Sequence, residues 1–193
     1  MVMRKEVYFK TVKALILALE ARAYYLRGHS SRVTSYAILM GKRLRLPKEQ
    51  LRLIKTIGLL HDLGKIALSD VLLNKSGPLT AAERQKIQLH PVIGAMILNN
   101  LGFLQEDICI VRNHHERYDG MGYPDKLKKE DIPLLARIFS VADAFDAMTS
   151  DRPYRKRMSV EKAVGELASN KGTQFDPAIV DTFLSNTPKI PGL

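Results

Sequence analysis

Histidine is scarce in this chain, and its copies are placed where a metal centre would need them. The chain contains His29, His61, His90, His114 and His115. Imidazole nitrogens combined with carboxylates suit iron, manganese, zinc or nickel. Any one of these histidines alone is more typical of a packed or solvated side chain than of a ligand. Because all five lie near predicted helix ends or on apolar faces, together they indicate a shared metal site.

Aspartates in apolar surroundings strengthen this interpretation. Asp62 follows His61 in GLLHDLGKI, and Asp143 lies in ARIFSVADAFDAM. A buried unpaired carboxylate is costly, so each is expected to face a cation. Asp146 lies about one turn after Asp143 and is either an acceptor behind a ligand or a surface residue. For a lone pair such as His61 and Asp62, a helix end with a capping aspartate would be the better explanation.

The adjacent histidines His114 and His115 belong to the stretch NHHERYDGMGYP, residues 113–124. Neighbouring residues on a helix point about 100° apart. The two imidazoles can therefore approach one ion only at a strained helix end, or else they divide into a ligand and a supporting residue. The glycines and the proline that follow predict a sharp turn, which a plain helix end would also explain.

Helices must position these residues, because a 3.6-residue apolar period covers most of the chain and no convincing period-2 alternation occurs. The period is clear in VYFKTVKALILALEARAYYL and in SRVTSYAILMGKRL. One helix is predicted near residues 106–116, and another from Pro133 to about Thr149. Further boundaries are marked by Pro47, a Thr80–Glu83 capping box, Pro91, Ser159, Gly172 and Pro177. The predicted fold class is all-α.

Composition limits the cellular setting and the partners. The 193 residues, 46% of them hydrophobic, suit one compact domain. A net charge of +10 favours anionic partners, although the absence of tryptophan argues against nucleic acid. The single cysteine, Cys109, excludes an internal disulfide and fits a cytoplasmic protein. No apolar run is long enough to cross a bilayer and the start lacks a secretory pattern, so neither a membrane span nor export is expected.

Four segments carry a resemblance: HDLGKI, NHHERYDGMGYP, IPLLARIFSVADAFDAMTSDRPYRK and GTQFDP. In this order the chain, from about residue 28 to residue 183, resembles the HD-GYP branch of the HD-domain metal-dependent phosphohydrolases. The resemblance implies an HD-domain helical bundle with a C-terminal HD-GYP extension, here a helix over residues 1–27 packed on a domain over residues 28–193. It also implies a bacterial signal-transduction enzyme, a phosphodiesterase that hydrolyses cyclic di-GMP to pGpG and, after a second cut, to GMP.

Carried over residue by residue, the resemblance implies two divalent metal ions that activate a bridging hydroxide. The ligands of one ion match His29, His61, Asp62 and Asp143, and those of the second match His90, His114 and His115, with Asp62 bridging the two. Iron is expected first and manganese next, while zinc and nickel also suit such ligands. Lys65 matches a lysine directed at the scissile phosphate. The substrate-binding positions match Lys65, Gly122, Tyr123, Arg152 and Arg155.

The chain also departs from the family pattern. Some members bind a third metal through a glutamate where this chain has Tyr25, so two metals are expected. Ala23 and Leu26 replace a usual aspartate and threonine, a change expected to affect structure more than chemistry. Lys126 and Lys129 stand where glycines are usual in the loop, and they bear on substrate preference and partner contacts.

Other functions stay open at this point. A phosphohydrolase acting on mononucleotides or on another cyclic dinucleotide would be revealed by a substrate panel. A catalytically weak nucleotide-binding signalling module would bind without forming product at full metal occupancy. A nucleic-acid binder would show steeply salt-dependent affinity, but no DNA or RNA partner is expected. A regulatory or signalling protein and a second copy in a homodimer stay open as partners.

Overall fold

Helices dominate the computed structural model, which describes residues 14–23, 26–103, 105–151 and 156–185. Within these ranges the only β-type pairing is an isolated bridge between Lys171 and Phe175, so the predicted all-α class is confirmed. In the same ranges, no helix has the length and apolar character needed to cross a membrane.

Residues 14–22 are helical, and further helices follow. They are α1 (His29–Arg43), α2 (Lys48–Leu60), α3 (Asp70–Leu73), α4 (Ala81–Ile87), α5 (His90–Asn100), α6 (Gln105–Asn113), α7 (Leu134–Thr149), α8 (Val160–Ser169) and α9 (Pro177–Leu184). Short 3-10 helices span Leu63–Ala67 and Lys129–Asp131.

Several helix boundaries form as the sequence predicts. Thr80 accepts the amide N–H of Glu83 while the Glu83 side chain accepts that of Thr80, which gives the predicted capping box of α4. The Ser159 side chain accepts a backbone N–H at the start of α8. Helix α7 follows Pro133 and ends at Thr149. These local signals act within one turn, which is why sequence alone identifies them.

One helix is shorter than predicted, because α6 ends at Asn113 rather than near Glu116. Helix α8 ends at Ser169 with Asn170 as its C-cap, just before Gly172, which was predicted to stop it and which has a φ angle of 76°. The early end of α6 places the adjacent histidines in a turn.

The hydrophobic core holds α1, α2 and α7 together. Phe139 and Phe145 of α7 are buried, and Tyr36 of α1 packs edge-on against Phe145 with ring centroids 5.2 Å apart. Ile54 and Ile57 bring α2 into the same core. Helix α1 packs against both α2 and α7, so three elements that carry predicted ligands meet around one apolar centre.

The first 3-10 helix packs against α5 with backbone nearly touching backbone. A Cβ atom on Gly64 would lie 2.5 Å from the amide nitrogen of Gly94 and would overlap the carbonyl oxygen of His90. Only glycine permits this approach. As a result Asp62, just before the 3-10 helix, faces His90 at the start of α5.

The residues before α1 pack onto the region around this 3-10 helix. Leu19, Ala23 and Leu26 are buried together with Leu68 and Leu73 in a small second cluster. The two departures from the family pattern at Ala23 and Leu26 thus place apolar side chains in a packed cluster, as the sequence led us to expect.

Candidate metal centre

The predicted ligands come mainly from the ends of helices. His29 is the first residue of α1 and His90 the first of α5, whereas His61 directly follows α2. His114 and His115 occupy the turn after α6. Asp143 lies instead within α7. Ligands from several different elements therefore converge on one site.

Seven side chains form two adjoining groups that could each hold a metal ion. One group contains His29, His61 and Asp143, and the other contains Asp62, His90, His114 and His115. Within each group the candidate ligand atoms all lie within 4.8 Å of one another. The seven residues predicted from the sequence therefore meet in space.

Asp62 lies between the two groups and reaches both. Its Oδ2 atom is 3.4 Å from Nε2 of His29 and 3.7 Å from Nε2 of His61. Its Oδ1 atom is 3.2 Å from Nε2 of His90. Two ligands of one ion at about 2.1 Å each lie roughly 3 Å apart. One carboxylate oxygen thus faces each group, which is the arrangement that a bridging ligand requires.

The histidine rings are oriented with one nitrogen satisfied and the other offered to the site. The Nδ1 atoms of His61, His90 and His114 lie 2.7, 2.7 and 2.6 Å from the backbone carbonyls of Gly58, Ile87 and Val111. A carbonyl can only accept, so each Nδ1 carries the proton and each Nε2 carries the lone pair.

The Nε2 atoms of His61, His90 and His114, together with that of His29, are buried and lack a hydrogen-bond partner in the described part of the chain. Buried polar atoms are nearly always paired, so several unpartnered nitrogens that converge on one site need an explanation. A bound cation supplies it. The observed donors, imidazoles held by their other nitrogen and two carboxylates, therefore fit a pair of divalent metal ions.

The carboxylates of the site are held in their charged form. Burial alone would raise the pKa of Asp62, but Lys65 and the surrounding histidines outweigh it and hold this pKa well below its usual range. Burial would likewise raise the pKa of Asp143, but His29 outweighs it and holds the pKa of Asp143 well below its usual range. Two anionic groups in a buried site favour the binding of cations.

Most of the imidazoles are held neutral, the form that can bind a metal. Burial lowers the pKa of His61 and lowers that of His114 well below its usual range. Burial and the neighbouring His90 lower the pKa of His115 to about 3. Because their pKa values are lowered, these histidines stay neutral at pH 7, and each keeps a nitrogen lone pair available for a metal ion.

His29 differs because three carboxylates surround it. Burial works against its protonation, but Asp143, Asp146 and Asp62 together raise its pKa to about 10. Without a metal ion, a proton on this ring partly balances the negative charge. An ion bound at Nε2 would take over that role and release the proton.

Asp146 is the acceptor behind His29, one of the two alternatives that the sequence left open. It is 1% exposed, and its Oδ2 atom lies 2.7 Å from Nδ1 of His29. Arg32 donates to both of its oxygens, at 2.6 and 3.1 Å. Arg32 was not predicted from the sequence, because a position one turn after His29 carries no signal beyond that spacing.

Lys65 lies directly on the bridging carboxylate. Its Nζ atom donates to Oδ2 of Asp62 at 2.6 Å, and its side chain is 12% exposed. The spacing of three residues along the 3-10 helix brings the two side chains to the same side. A positive charge is thereby held beside the bridging carboxylate at the edge of the site.

The loop over residues 116–128, which contains Gly122 and Tyr123, lies over the adjacent histidines. The Tyr123 ring stacks on His115 with centroids 5.1 Å apart. Gly122 is buried, and a Cβ there would lie 2.5 Å from Cα of Glu116. The side chain of Glu116 accepts the amide N–H of Asp125 at 2.6 Å. Gly122 therefore allows the loop to pack closely against the backbone at Glu116, and Tyr123 covers His115, a predicted ligand.

Lys126 and Lys129 adopt a backbone conformation that usually belongs to glycine. Their φ angles are 56° and 48°. For a residue with a Cβ this left-handed region costs roughly 1–2 kcal/mol. Both lysines thus occupy a conformation that glycine adopts at lower cost, and both are exposed, so the loop carries positive charge at these positions.

Other predicted residues lie outside the described part. Arg152 and Arg155, expected to hold phosphates, and Tyr25, which stands in place of a third-metal ligand, belong to the ranges that the structure does not describe. Next to the site, a cavity of about 390 Å³ extends from His115 and Asp143 toward α8.

Comparisons with known proteins agree with this geometry. The HD domain family model matches residues 13–179. The cyclic di-GMP phosphodiesterase response regulator RpfG of Xanthomonas campestris pv. campestris is 41% identical over 177 residues, which cover 91% of this chain and 47% of that protein. The cyclic di-GMP phosphodiesterase PA4108 of Pseudomonas aeruginosa is 40% identical over 172 residues, which cover 88% of this chain and 41% of that protein. The chain thus spans less than half the length of these relatives.

A solved structure shows the same fold. The cyclic GMP-AMP specific phosphodiesterase V-cGAP3 of Vibrio cholerae superimposes with a TM-score of 0.66 at 23% identity, over 84% of this chain and 44% of that one. Family match, motifs and fold therefore agree, and the chain belongs to the HD-domain family, in its HD-GYP branch.

Proposed function

We propose that this chain is a metal-dependent phosphodiesterase that opens cyclic di-GMP to linear pGpG, and that it binds two divalent ions, iron or manganese before zinc or nickel. One observation carries the proposal: buried imidazole lone pairs without hydrogen-bond partners converge with two ionised carboxylates on adjoining groups that Asp62 joins. The names of the relatives support cyclic di-GMP as the substrate.

The reaction adds water across one phosphodiester bond, so that the water oxygen joins phosphorus and the 3′ oxygen leaves with a proton. Ions bound in the two groups would offset charge on the phosphate and would lower the pKa of water towards neutrality, so that hydroxide is available near pH 7.

The chain's own residues orient the reactants. Asp62 fixes the spacing of the two groups, and the backbone carbonyls behind His61, His90 and His114 keep their rings from rotating. Lys65 presents an ammonium beside Asp62, placed to stabilise charge on the phosphate or on the leaving oxygen. The cavity beside His115 offers room for one half of the substrate.

Asp62→Ala tests the proposal. The variant loses the carboxylate shared by both groups, so we expect metal content and hydrolysis of cyclic di-GMP to fall to background. Elemental analysis of protein purified without chelator and chromatography of the nucleotide products measure the two effects. Asp131→Ala, at an exposed position on the second 3-10 helix, is the matched control and should keep both properties. Wild-type turnover in Asp62→Ala would refute the mechanism.

Cyclic GMP-AMP is the second candidate substrate, because the superimposed Vibrio structure is named as a phosphodiesterase specific for it. A panel of cyclic di-GMP, cyclic GMP-AMP, cyclic di-AMP and GMP separates the choices. Preference for cyclic GMP-AMP would replace the proposed substrate, and cleavage of GMP alone would remove the cyclic dinucleotide assignment.

A further inference from the structure

The cavity beside the metal centre is lined by both apolar and polar groups. The apolar lining includes Ala144, Ala147 and Met148 of α7 together with the buried Phe175. The polar lining includes Arg117 and three residues from α8 and the segment after it, Glu166, Asn170 and Gln174, which we call the polar wall. A cavity that combines apolar surface with a few polar groups suits a planar heterocycle with hydrogen-bonding groups on its rim.

The position of the cavity connects it to the reacting phosphate. His115 and Asp143 line the same cavity and also belong to the two metal-binding groups. A ligand whose phosphate lies at those groups would therefore extend its nucleoside into the cavity. Its volume of about 390 Å³ is near the small end of the usual range for ligand sites, roughly 300–1,000 Å³, which fits one nucleoside rather than a whole cyclic dinucleotide.

Hydrogen bonds within the polar wall determine which of its polar atoms remain available to a ligand in the cavity. The amide nitrogen of Asn170 donates to the carbonyl of Glu166 at 2.9 Å, so its Oδ1 remains an acceptor. Oε1 of Gln174 accepts from Arg117 at 3.2 Å, so its Nε2 remains a donor. The carboxylate of Glu166 makes no hydrogen bond or ion pair with the described residues, and it adds further acceptors.

We propose that the polar wall of Glu166, Asn170 and Gln174 is a guanine-recognition subsite, an inference that rests on the proposed phosphodiesterase function. The Watson–Crick edge of guanine offers the N1–H and N2–H donors and the O6 acceptor. A carboxylate binds the two donors, and the Gln174 amide donates to O6. In adenine, N1 carries a lone pair instead of a hydrogen. This lone pair would face the lone pairs of the carboxylate, so the two groups would repel each other.

Glu166→Gln tests the subsite. It keeps the size of the side chain but replaces one acceptor by a donor, so one of the two donors of guanine loses its partner. Because a hydrogen bond to a charged group contributes about 1.5–3 kcal/mol, we expect KM for cyclic di-GMP to rise roughly 10- to 100-fold with kcat nearly unchanged. We also expect the preference for cyclic di-GMP over cyclic di-AMP to fall.

Glu161→Gln is the matched control, since Glu161 is an exposed glutamate on the same helix and does not line the cavity. It removes the same charge and should leave KM within twofold of the wild type. Both side chains are exposed, so both variants should stay folded. Glu161 is in the first turn of α8, where a negative charge contributes about 0.3–1 kcal/mol, so Glu161→Gln should melt no more than about 4 °C below the wild type.

The outcomes separate the two proposals. If the wild type cleaves cyclic di-GMP and Glu166→Gln keeps its KM and its base preference, the guanine subsite is refuted while the phosphodiesterase function stands. If the wild type with full metal occupancy cleaves no cyclic dinucleotide, the proposed function fails and the subsite fails with it. An equal rise of KM in Glu161→Gln would reduce the effect to net charge and would also refute the subsite.

Discussion

Replacing Gly64 by alanine should disturb the metal centre without touching a ligand. Gly64 lies on the 3-10 helix that follows Asp62, and an added Cβ would overlap the carbonyl oxygen of His90 and lie 2.5 Å from the amide nitrogen of Gly94. Real Cβ atoms essentially never have contacts under 3.0 Å. Both obstacles are backbone atoms, so no side chain can rotate away, and the 3-10 helix and α5 must move apart.

The size of the effect follows from this geometry. Overpacking a well-packed core costs typically 1–3 kcal/mol, and a clash with backbone on the opposite side belongs at the upper end, about 3 kcal/mol. For a domain of this size, each kcal/mol lowers the melting temperature by about 2–4 °C, which gives a decrease of roughly 6–12 °C. Moving the added Cβ from 2.5 Å to the 3.0 Å limit requires the 3-10 helix and α5 to separate by about 0.5 Å or more. Asp62 and His90 would therefore move apart by more than the roughly 0.2 Å that metal–ligand distances tolerate.

Thermal unfolding followed by circular dichroism and metal content by elemental analysis measure both effects. Gly165→Ala is the control, because a Cβ there meets no heavy atom within 4 Å. It lies within α8, so the better helix propensity of alanine should stabilise the protein by up to about 1 kcal/mol. If Gly64→Ala melts within 2 °C of the wild type and retains both ions, the close packing described above does not position the site.

Two further predictions concern the ligands. Asp146→Asn removes the charge that holds His29 and Arg32, and we expect metal affinity to fall about 10- to 100-fold in calorimetric titration; affinity within twofold of the wild type would exclude this supporting role. The chelator-treated protein should be most stable near pH 6.5, judged by urea unfolding at several pH values. Below that pH the unfolded chain takes up protons at His114 and His115 whereas the folded chain does not, because the folded pKa of His115 is about 3 against 6.5 unfolded. Stability then falls by up to about 1.4 kcal/mol per pH unit for each histidine. Above it the folded chain keeps a proton on His29, whose pKa is about 10, so stability falls again as pH rises; a steady rise in stability up to pH 9 would contradict these shifts.

Much of the fold could be read from local signals. The capping box at Thr80 and the bounds of α7 were predicted correctly because they depend on side chains within one turn. The end of α6 was placed too late, because nothing local marks Asn113 as its last residue. The turn that follows it is stabilised by the distant loop through Glu116 and the amide of Asp125, a contact nine residues apart that no helical period predicts.

The adjacent histidines also show which features the local sequence predicts and which it leaves open. The sequence left two arrangements open for His114 and His115, and the structure places both in the same metal-binding group, with ring centroids 4.1 Å apart. The turn after α6 allows this without a positive φ angle at either residue. Their convergence therefore depends on where the helix ends rather than on a strained backbone.

By itself the sequence determined the donor set and the helical class, because ligand chemistry and apolar period are properties of residue type and spacing. Only the tertiary structure decided how the donors meet. The buried Asp146 behind His29 and the contact of Gly64 with α5 both join segments that are far apart in the chain. Such contacts arise when the helices pack, and their energies depend on burial, which no local stretch of sequence specifies.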